Sequence, residues 1–445
     1  MDRRKFIKKA GFATIGAVSM PYILPSGRLF AASGNALAEH VVYVLFAGGV
    51  RQQEAVLQRY LADSQGRPWE GNIMYNMLNG SAPQAKIVYG TNPSIGTDGS
   101  VPIPQILSST LQSQGLLFPE VYAANAGHYG GLNTLLTGNN AVTQGLRQKP
   151  LFPTLFEYTR RHLGAKATET WFVGNTLGNS VPLLNYSGHT DYGASYGANM
   201  FIPGVTFGGL GQEYLANAKI YHPEEELSHM QRMRLFLDNN YRSNGGIPLP
   251  NIQNTEDEKQ QIKSFVDRML NGQINVPFPP VSDNGDLSNI GYAGAILKEF
   301  KPKLLAVNMS SVDSCHGNFT GYLSALHRAD HAVGHLWDVI QNDPVLANKT
   351  AIVVTPEHGR NAFPNSIKDE NDWFGFDHSD ANTRRVWTMM AGPGIPSNLT
   401  IGSEGNPVGR TTDNVLTIAE ILGFKNDIIT SPGIDPNAMS LFDRI

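Results

Sequence analysis

His40-Val41-Val42-Tyr43-Val44-Leu45-Phe46, followed at once by Ala47-Gly48-Gly49, is the stretch on which the reading of this chain turns. A continuous apolar run of this length, rich in β-branched and aromatic residues, predicts a strand buried on both faces, as in a parallel sheet covered by helices. The glycine pair behind it fits a tight turn better than a dinucleotide fingerprint, for which it is too short. Working outward, comparable strand patterns recur at 85–89, 119–124, 170–174, 304–309, 351–355 and 386–391. Between them lie helical patterns at 52–61, 103–112, 151–163, 256–270, 321–340 and 414–422, with His128 just before a further helix. Such alternation predicts an α/β sandwich on a mostly parallel sheet. Residues 176–250, rich in Gly, Asn and Tyr, break the rhythm and read as an inserted loop-rich region of one large domain, 39–445.

The first 38 residues read differently. Arg3-Arg4-Lys5 opens the chain, an apolar stretch follows over 10–24, and Ala36-Leu37-Ala38 supplies small residues suited to a signal peptidase. This predicts a twin-arginine export signal, hence the twin-arginine export machinery as a partner and a periplasmic or secreted protein. Gly11, Gly16, Pro21 and Pro25 interrupt the apolar stretch, which argues against a membrane span. Without residues 1–38, which hold six basic side chains and one acid, 28 Lys+Arg face 37 Asp+Glu. An acidic chain of this kind lacks the basic excess that nucleic-acid binding uses. Cys315 is the single cysteine, so no intramolecular disulfide forms, and haem-attachment and iron–sulfur cysteine patterns are absent.

Ligands of open parallel α/β sheets gather at the carboxyl ends of the strands. Asp313 and His316 follow the strand predicted at 304–309, Glu357 and His358 follow 351–355, His128 follows 119–124, and His378 leads into 386–391. Four separate segments thus deliver imidazoles and carboxylates to one sheet edge, a donor set suited to one or two divalent cations, with zinc, manganese or iron favoured over magnesium alone and zinc or manganese first among them. His327, Asp330, His331 and His335 sit at helical spacing, where solvation is the expectation, with Asp330 the one whose face could turn back to the site. His189 and Asp191 could line a substrate entrance.

With these residues in view, the chain resembles the alkaline phosphatase-like superfamily of sulfatases, phosphodiesterases and phosphomutases. The resemblance rests on Asp313-Ser-Cys-His-Gly-Asn-Phe319, on Thr350-Ala-Ile-Val-Val-Thr-Pro-Glu-His-Gly-Arg-Asn361, on Phe376-Asp-His378 and on Met389-Met-Ala-Gly-Pro-Gly-Ile395. It is nearest to an exported branch with Asp-x-x-His, Glu-x-Gly-Arg and Asp-His motifs, and it covers roughly 40–140 and 300–445. It implies a three-layer α/β fold with two metal sites. Asp313, His316 and His378 would form one and Glu357 with His358 would serve the other, with Glu in place of the usual Asp. Two departures stand out: Gly48 occupies the probable place of the first aspartate, and Gly127-His128 the place of the Ser or Thr nucleophile. A Cys-x-Pro-x-Arg run is missing, which excludes a sulfatase-type formylglycine. The implied activity is a metal-dependent hydrolysis of a small anionic phosphate or sulfate ester by metal-activated water. Glu357 would hold an ion or orient that water, Arg360 would neutralise the substrate, and His128 would be a further ligand or a general acid. The alternative is a catalytically degenerate relative with a binding or structural role.

Overall fold

The computed structural model describes residues 34–62, 68–81, 102–141, 149–174, 184–203, 256–281 and 285–445, with two short strand pieces before them. The predicted strand at 85–89, most of the predicted signal and most of the 176–250 insertion lie outside the described residues.

Among the described residues, eight strands form the main sheet: β1 (His40–Phe46), β2 (Gly115–Tyr122), β3 (Thr170–Gly174), β4 (Asn199–Phe201), β5 (Leu304–Met309), β6 (Thr350–Pro356), β7 (Arg385–Ala391) and β8 (Leu399–Thr400). Their spatial order is β8-β2-β7-β6-β1-β5-β3-β4. Every neighbouring pair is parallel except the two that β7 makes, with β6 and with β2. The expected α/β fold on a mostly parallel sheet is therefore the observed one. β1 sits at its centre, fully buried, with alternate side chains entering two separate cores. Val42, Val44 and Phe46 face one, while Val41, Tyr43 and Leu45 face the other. Helices α3 (Glu256–Leu270), α4 (Gly285–Phe300) and α5 (Phe319–Gln341) cover the first face. Helices α1 (His128–Thr137), α2 (Leu155–Leu163) and α6 (Asp413–Ile421) cover the second, which completes three layers. Each large apolar side chain so removed from water contributes roughly 1.5–3 kcal/mol.

Several local expectations are corrected. The helix expected at 52–61 is instead a series of turns followed by a short strand, Arg59–Ala62. The Gln52 side chain is hooked onto the carbonyls of Pro119 and Val386 at 3.0 and 2.9 Å, and Gln58 takes a φ of 52°, so helical progression stops. Over 103–112 only the start of the short helix Leu111–Gln114 is helical, because Asn76 Oδ1 captures the backbone N–H groups of Ile106 and Leu107 and keeps that stretch out of a helix. β2 starts at Gly115 rather than 119 and carries Pro119 where the β2–β7 register shifts, a place at which a missing N–H is tolerated. His128 is the first residue of α1 and does not precede it. α4 is unannounced in the sequence: its Gly291 and Gly294 blur the apolar stripe because Phe278 and Pro277 pack onto them too closely for any Cβ. α2 does start as a capped helix should, with the Thr154–Glu157 capping box at its head.

Three of the four polar residues expected to be solvated on α5 are not, and the fourth, His335, is half-buried with its Nε2 2.9 Å from the Pro277 carbonyl. His327, Asp330 and His331 are all buried. His327 Nδ1–H points to the Ile73 carbonyl and its Nε2 accepts the Ile103 N–H, both at 2.9 Å. Asp330 accepts from Asn76 N, Asn76 Nδ2 and Met77 N at 2.8–2.9 Å, so it pins the 72–78 loop to α5 and does not turn to the site. Burial pushes the Asp330 carboxyl up to about 7, against those hydrogen bonds, which favour its anion. From its ordinary value of 3.8 up to about 7 the folded chain holds a proton that the unfolded chain has released. The stability this supplies is fully present below the lower value and is lost as pH rises through the upper one. Urea midpoints taken from pH 4 to pH 8 should show the wild type losing stability relative to Asp330→Asn, with a slope approaching ~1.4 kcal/mol per pH unit. A pH-independent difference would contradict this.

Candidate metal centre

The carboxyl ends of β1, β2, β5 and β6 and the start of antiparallel β7 share one edge of the sheet, and the loops leaving them carry the candidate residues. After β6 the chain places Glu357 and His358, both with fully buried side chains. After β5 it turns through a short 3₁₀ helix, Ser311–His316, that presents Asp313 and His316. The head of that turn is fixed by buried Asp286 of α4, whose carboxylate accepts the N–H groups of Ser310 and Ser311 at 2.8 and 2.9 Å. α1 contributes His128 at its first turn and lies close to Glu357. A Cβ on Gly131 would sit 3.0 Å from the Glu357 Cβ.

These segments converge. His128, His358 and His378 each offer a ligand atom within 4.8 Å of the others, and so do His128, Asp313 and His316. Glu357 Oε1 lies 2.7 Å from His128 Nδ1 and 3.2 Å from His358 Nε2, and those two nitrogens are 3.1 Å apart. On the other side His128 Nε2 is 3.3 Å and His316 Nε2 3.4 Å from Asp313 Oδ1. All six residues singled out from sequence as His or carboxylate donors thus meet at one place, with His128 common to both groups. A divalent cation fits this donor set: imidazole and carboxylate are its usual ligands, and the buried Glu357 Oε2 has no hydrogen-bond partner. Ring orientation is set by carbonyls, since Nδ1 of His358 faces Gly359 O and Nδ1 of His378 faces Ala126 O, each at 2.7 Å. With Nδ1–H so engaged, Nε2 keeps its lone pair for a metal.

The electrostatics follow from burial and pairing. Burial opposes ionisation of Glu357, but the His128 and His358 hydrogen bonds and charges prevail and bring its carboxyl down to about 2. For His128, burial is likewise outweighed by Glu357 and Asp313, and its imidazole is raised. His378 has no such partner. Burial, then the neighbouring His358, hold it down at about 4.

Arg360 is placed inside the protein, with a side chain 0% exposed. Its Nη2 donates to Asp313 Oδ1 at 2.7 Å and to the Gly48 carbonyl, and its Nη1 donates to Phe376 O at 3.1 Å. The expected contact with a substrate has no exposed atom to make it. Asp377 was not among the residues singled out, although it adjoins His378. Its Oδ1 is 2.9 Å from His316 Nδ1 and also accepts from Asn365 Nδ2 at 3.1 Å. The Asp-His motif contains it, but the motif attaches no role to its aspartate. His189 and Asp191 sit against α2, where His189 rests edge-on to Tyr192 and the Asp191 carbonyl accepts from Arg161 Nη1 at 2.5 Å.

Gly48 and Gly49 are shaped by the centre. Both have positive φ, 112° and 80°, and a Cβ would lie 2.6 Å from Asp313 N in the first case and from His358 Cε1 in the second. The Gly48 N–H donates to Glu357 Oε1 at 2.6 Å. No side chain fits at Gly48, so an aspartate placed there would not serve as a ligand. Gly48→Asp should lose at least roughly 1–3 kcal/mol in urea denaturation, from backbone strain before any clash is counted. A variant within about 0.5 kcal/mol of wild type, the usual effect of an innocuous surface change, would contradict this.

No curated protein matches the chain. Among solved structures, similarity extends to a Vibrio parahaemolyticus protein in the alkaline phosphatase superfamily, at 11% identity over 95% of this chain and 76% of that one, with a TM-score of 0.36. It extends also to the lipoteichoic acid synthase LtaP from Listeria monocytogenes, at 11% identity, 98% and 80% coverage and a TM-score of 0.39. A mutant of TAB5 alkaline phosphatase with bound Mg gives 10% identity, 87% and 99% coverage and a TM-score of 0.41. The family described as type I phosphodiesterase / nucleotide pyrophosphatase matches residues 128–413, a span that begins at His128 and takes in every other donor of the centre. That match covers well over half of the sequence, and the chain belongs to the type I phosphodiesterase / nucleotide pyrophosphatase family.

Proposed function

We propose that this chain is an exported, metal-dependent hydrolase of phosphate or sulfate esters, with water rather than a side chain as the attacking group. The observation that carries the proposal is the meeting of His128, His358 and His378, and of His128, Asp313 and His316, with ligand atoms within 4.8 Å, in a chain of a phosphodiesterase family. Zinc or manganese suits three imidazoles and a carboxylate better than magnesium does. A divalent ion bound there would polarise the ester oxygen and lower the pKa of water toward neutrality.

The protein's own groups do the rest. Glu357 supplies the buried negative charge, with its Oε1 2.7 Å from His128 Nδ1. Asp377 holds His316 through Nδ1, so that its Nε2 faces Asp313 and the opening of the site. Arg360 acts on Asp313 as a positioning residue, being too deeply buried to reach a substrate. Water as nucleophile is supported by the hydroxyls of α1. Thr134 and Thr137 are buried and donate at 2.7 Å to Gly130 O and Asn133 O of their own helix. His128, at the head of that helix, is placed to hold an ion or pass a proton to the departing oxygen. The apolar signal pattern at the start of the chain supports export through the twin-arginine machinery.

A panel of p-nitrophenyl phosphate, bis-p-nitrophenyl phosphate and p-nitrophenyl sulfate, assayed with zinc- and manganese-loaded protein, tests this reading. At least one ester should be hydrolysed, His358→Ala and His316→Ala should each lower kcat at least 100-fold, and chelation should abolish turnover. A second reading, a degenerate relative that only binds, is favoured by Gly48 and by the missing hydroxyl before α1. Fully loaded protein that hydrolyses none of a broad ester panel, with His316→Ala changing nothing, would decide for it.

A further inference from the structure

We propose that the centre takes one ion and not two, held by Glu357, His128, His358 and His378, and that the Arg360 guanidinium is the permanent second cation, paired with Asp313. This rests on the metal-dependent reading above and goes further, because it assigns the ion to one of the two donor groups.

The two groups are not equivalent. Glu357 Oε1, His128 Nδ1 and His358 Nε2 form a triangle with sides of 2.7, 3.1 and 3.2 Å. A tetrahedral site with bonds of about 2.0–2.1 Å has edges of about 3.3 Å, so this triangle is one nearly formed face. His378 approaches the same face: it offers a ligand atom within 4.8 Å of those of His128 and His358, and its Nδ1 is tied to Ala126 O. The second group already contains a cation. Arg360 Nη2 sits 2.7 Å from Asp313 Oδ1, the oxygen that a metal there would need, and the Arg360 side chain is fully buried. A guanidinium is a fixed cation in proteins, and the Phe376 and Gly48 carbonyls hold this one from two further sides. A dication at Asp313 would have to share that oxygen with it. The third donor of that group, His128 Nε2, lies 3.3 Å from Asp313 Oδ1, but its ring is already committed to the first ion through Nδ1. Gly48 leaves no room for a side chain, and His316 brings only Nε2, since its Nδ1 belongs to Asp377.

The test is metal content by elemental analysis after reconstitution with zinc, or separately manganese, and desalting, with circular dichroism to confirm folding. The wild type should retain one ion per chain. Asp313→Asn should still retain one. Should the single change leave Arg360 uncompensated and the protein unfolded, Asp313→Asn/Arg360→Gln removes both charges and should also retain one. Glu357→Gln and His358→Ala should each lower retention at least tenfold. Two ions in the wild type, or loss of the ion in folded Asp313→Asn but not in Glu357→Gln, would overturn the assignment and leave the metal-dependent reading standing. No retained ion of either metal in any folded form would overturn that reading, and the inference with it.

Discussion

A carboxylate with no access to water organises this molecule. Glu357 lies at the end of a central strand, fully buried, and removing an ionised carboxyl from water costs several kcal/mol unless partners compensate. Its Oε1 receives the Gly48 N–H and the His128 imidazole and stands 3.2 Å from His358 Nε2, while its Oε2 is left without a partner. Three segments far apart in sequence are thereby drawn to one point: the turn after β1, the head of α1 and the end of β6. A negative charge kept there, ringed by imidazoles and incompletely satisfied, is an arrangement that a cation completes.

The rest of the fold serves that convergence. Parallel neighbours β6, β1 and β5 end in register, so the residues just beyond them emerge side by side, and antiparallel β7 brings the His378 loop to the same edge. Positive-φ glycines allow the chain after β1 to press against Asp313 and His358 where any side chain would collide. Behind the donors stands a set of fixed hydrogen bonds. Asp286 holds the 3₁₀ turn of Asp313, Asp377 orients His316, and two backbone carbonyls select the ring nitrogens of His358 and His378. Groups of this kind are what keep a site within the tolerance that its chemistry needs.

Much of this was legible in the sequence, for a physical reason. Strands buried on both faces read as unbroken apolar runs, and β1, β3, β5 and β6 stand within a residue of where such runs predict them. Donors that follow strand ends are placed by the sheet itself, which is why His128, Asp313, His316, Glu357, His358 and His378 could be gathered before any contact was known. What escaped depends on tertiary context. The segment after Gly49 has helical periodicity, but the Gln52 amide is captured by two strand carbonyls. α4 hides its period behind glycines required by Phe278 and Pro277. Asp330 and His327 sit on a helix face that seemed free because the loop they anchor lies some 250 positions earlier in the chain. Arg360 reads as a substrate-facing cation until burial shows that it is spent on Asp313.

The central claim is that these side chains form a cation site rather than a hydrogen-bonded polar cluster. Crystals grown with zinc and measured on both sides of its absorption edge address it most directly. The account predicts an anomalous peak within bonding distance of His128, His358 and His378 and beside Glu357. A well-ordered map with no peak there, and with His128 still hydrogen-bonded to Glu357, would contradict it.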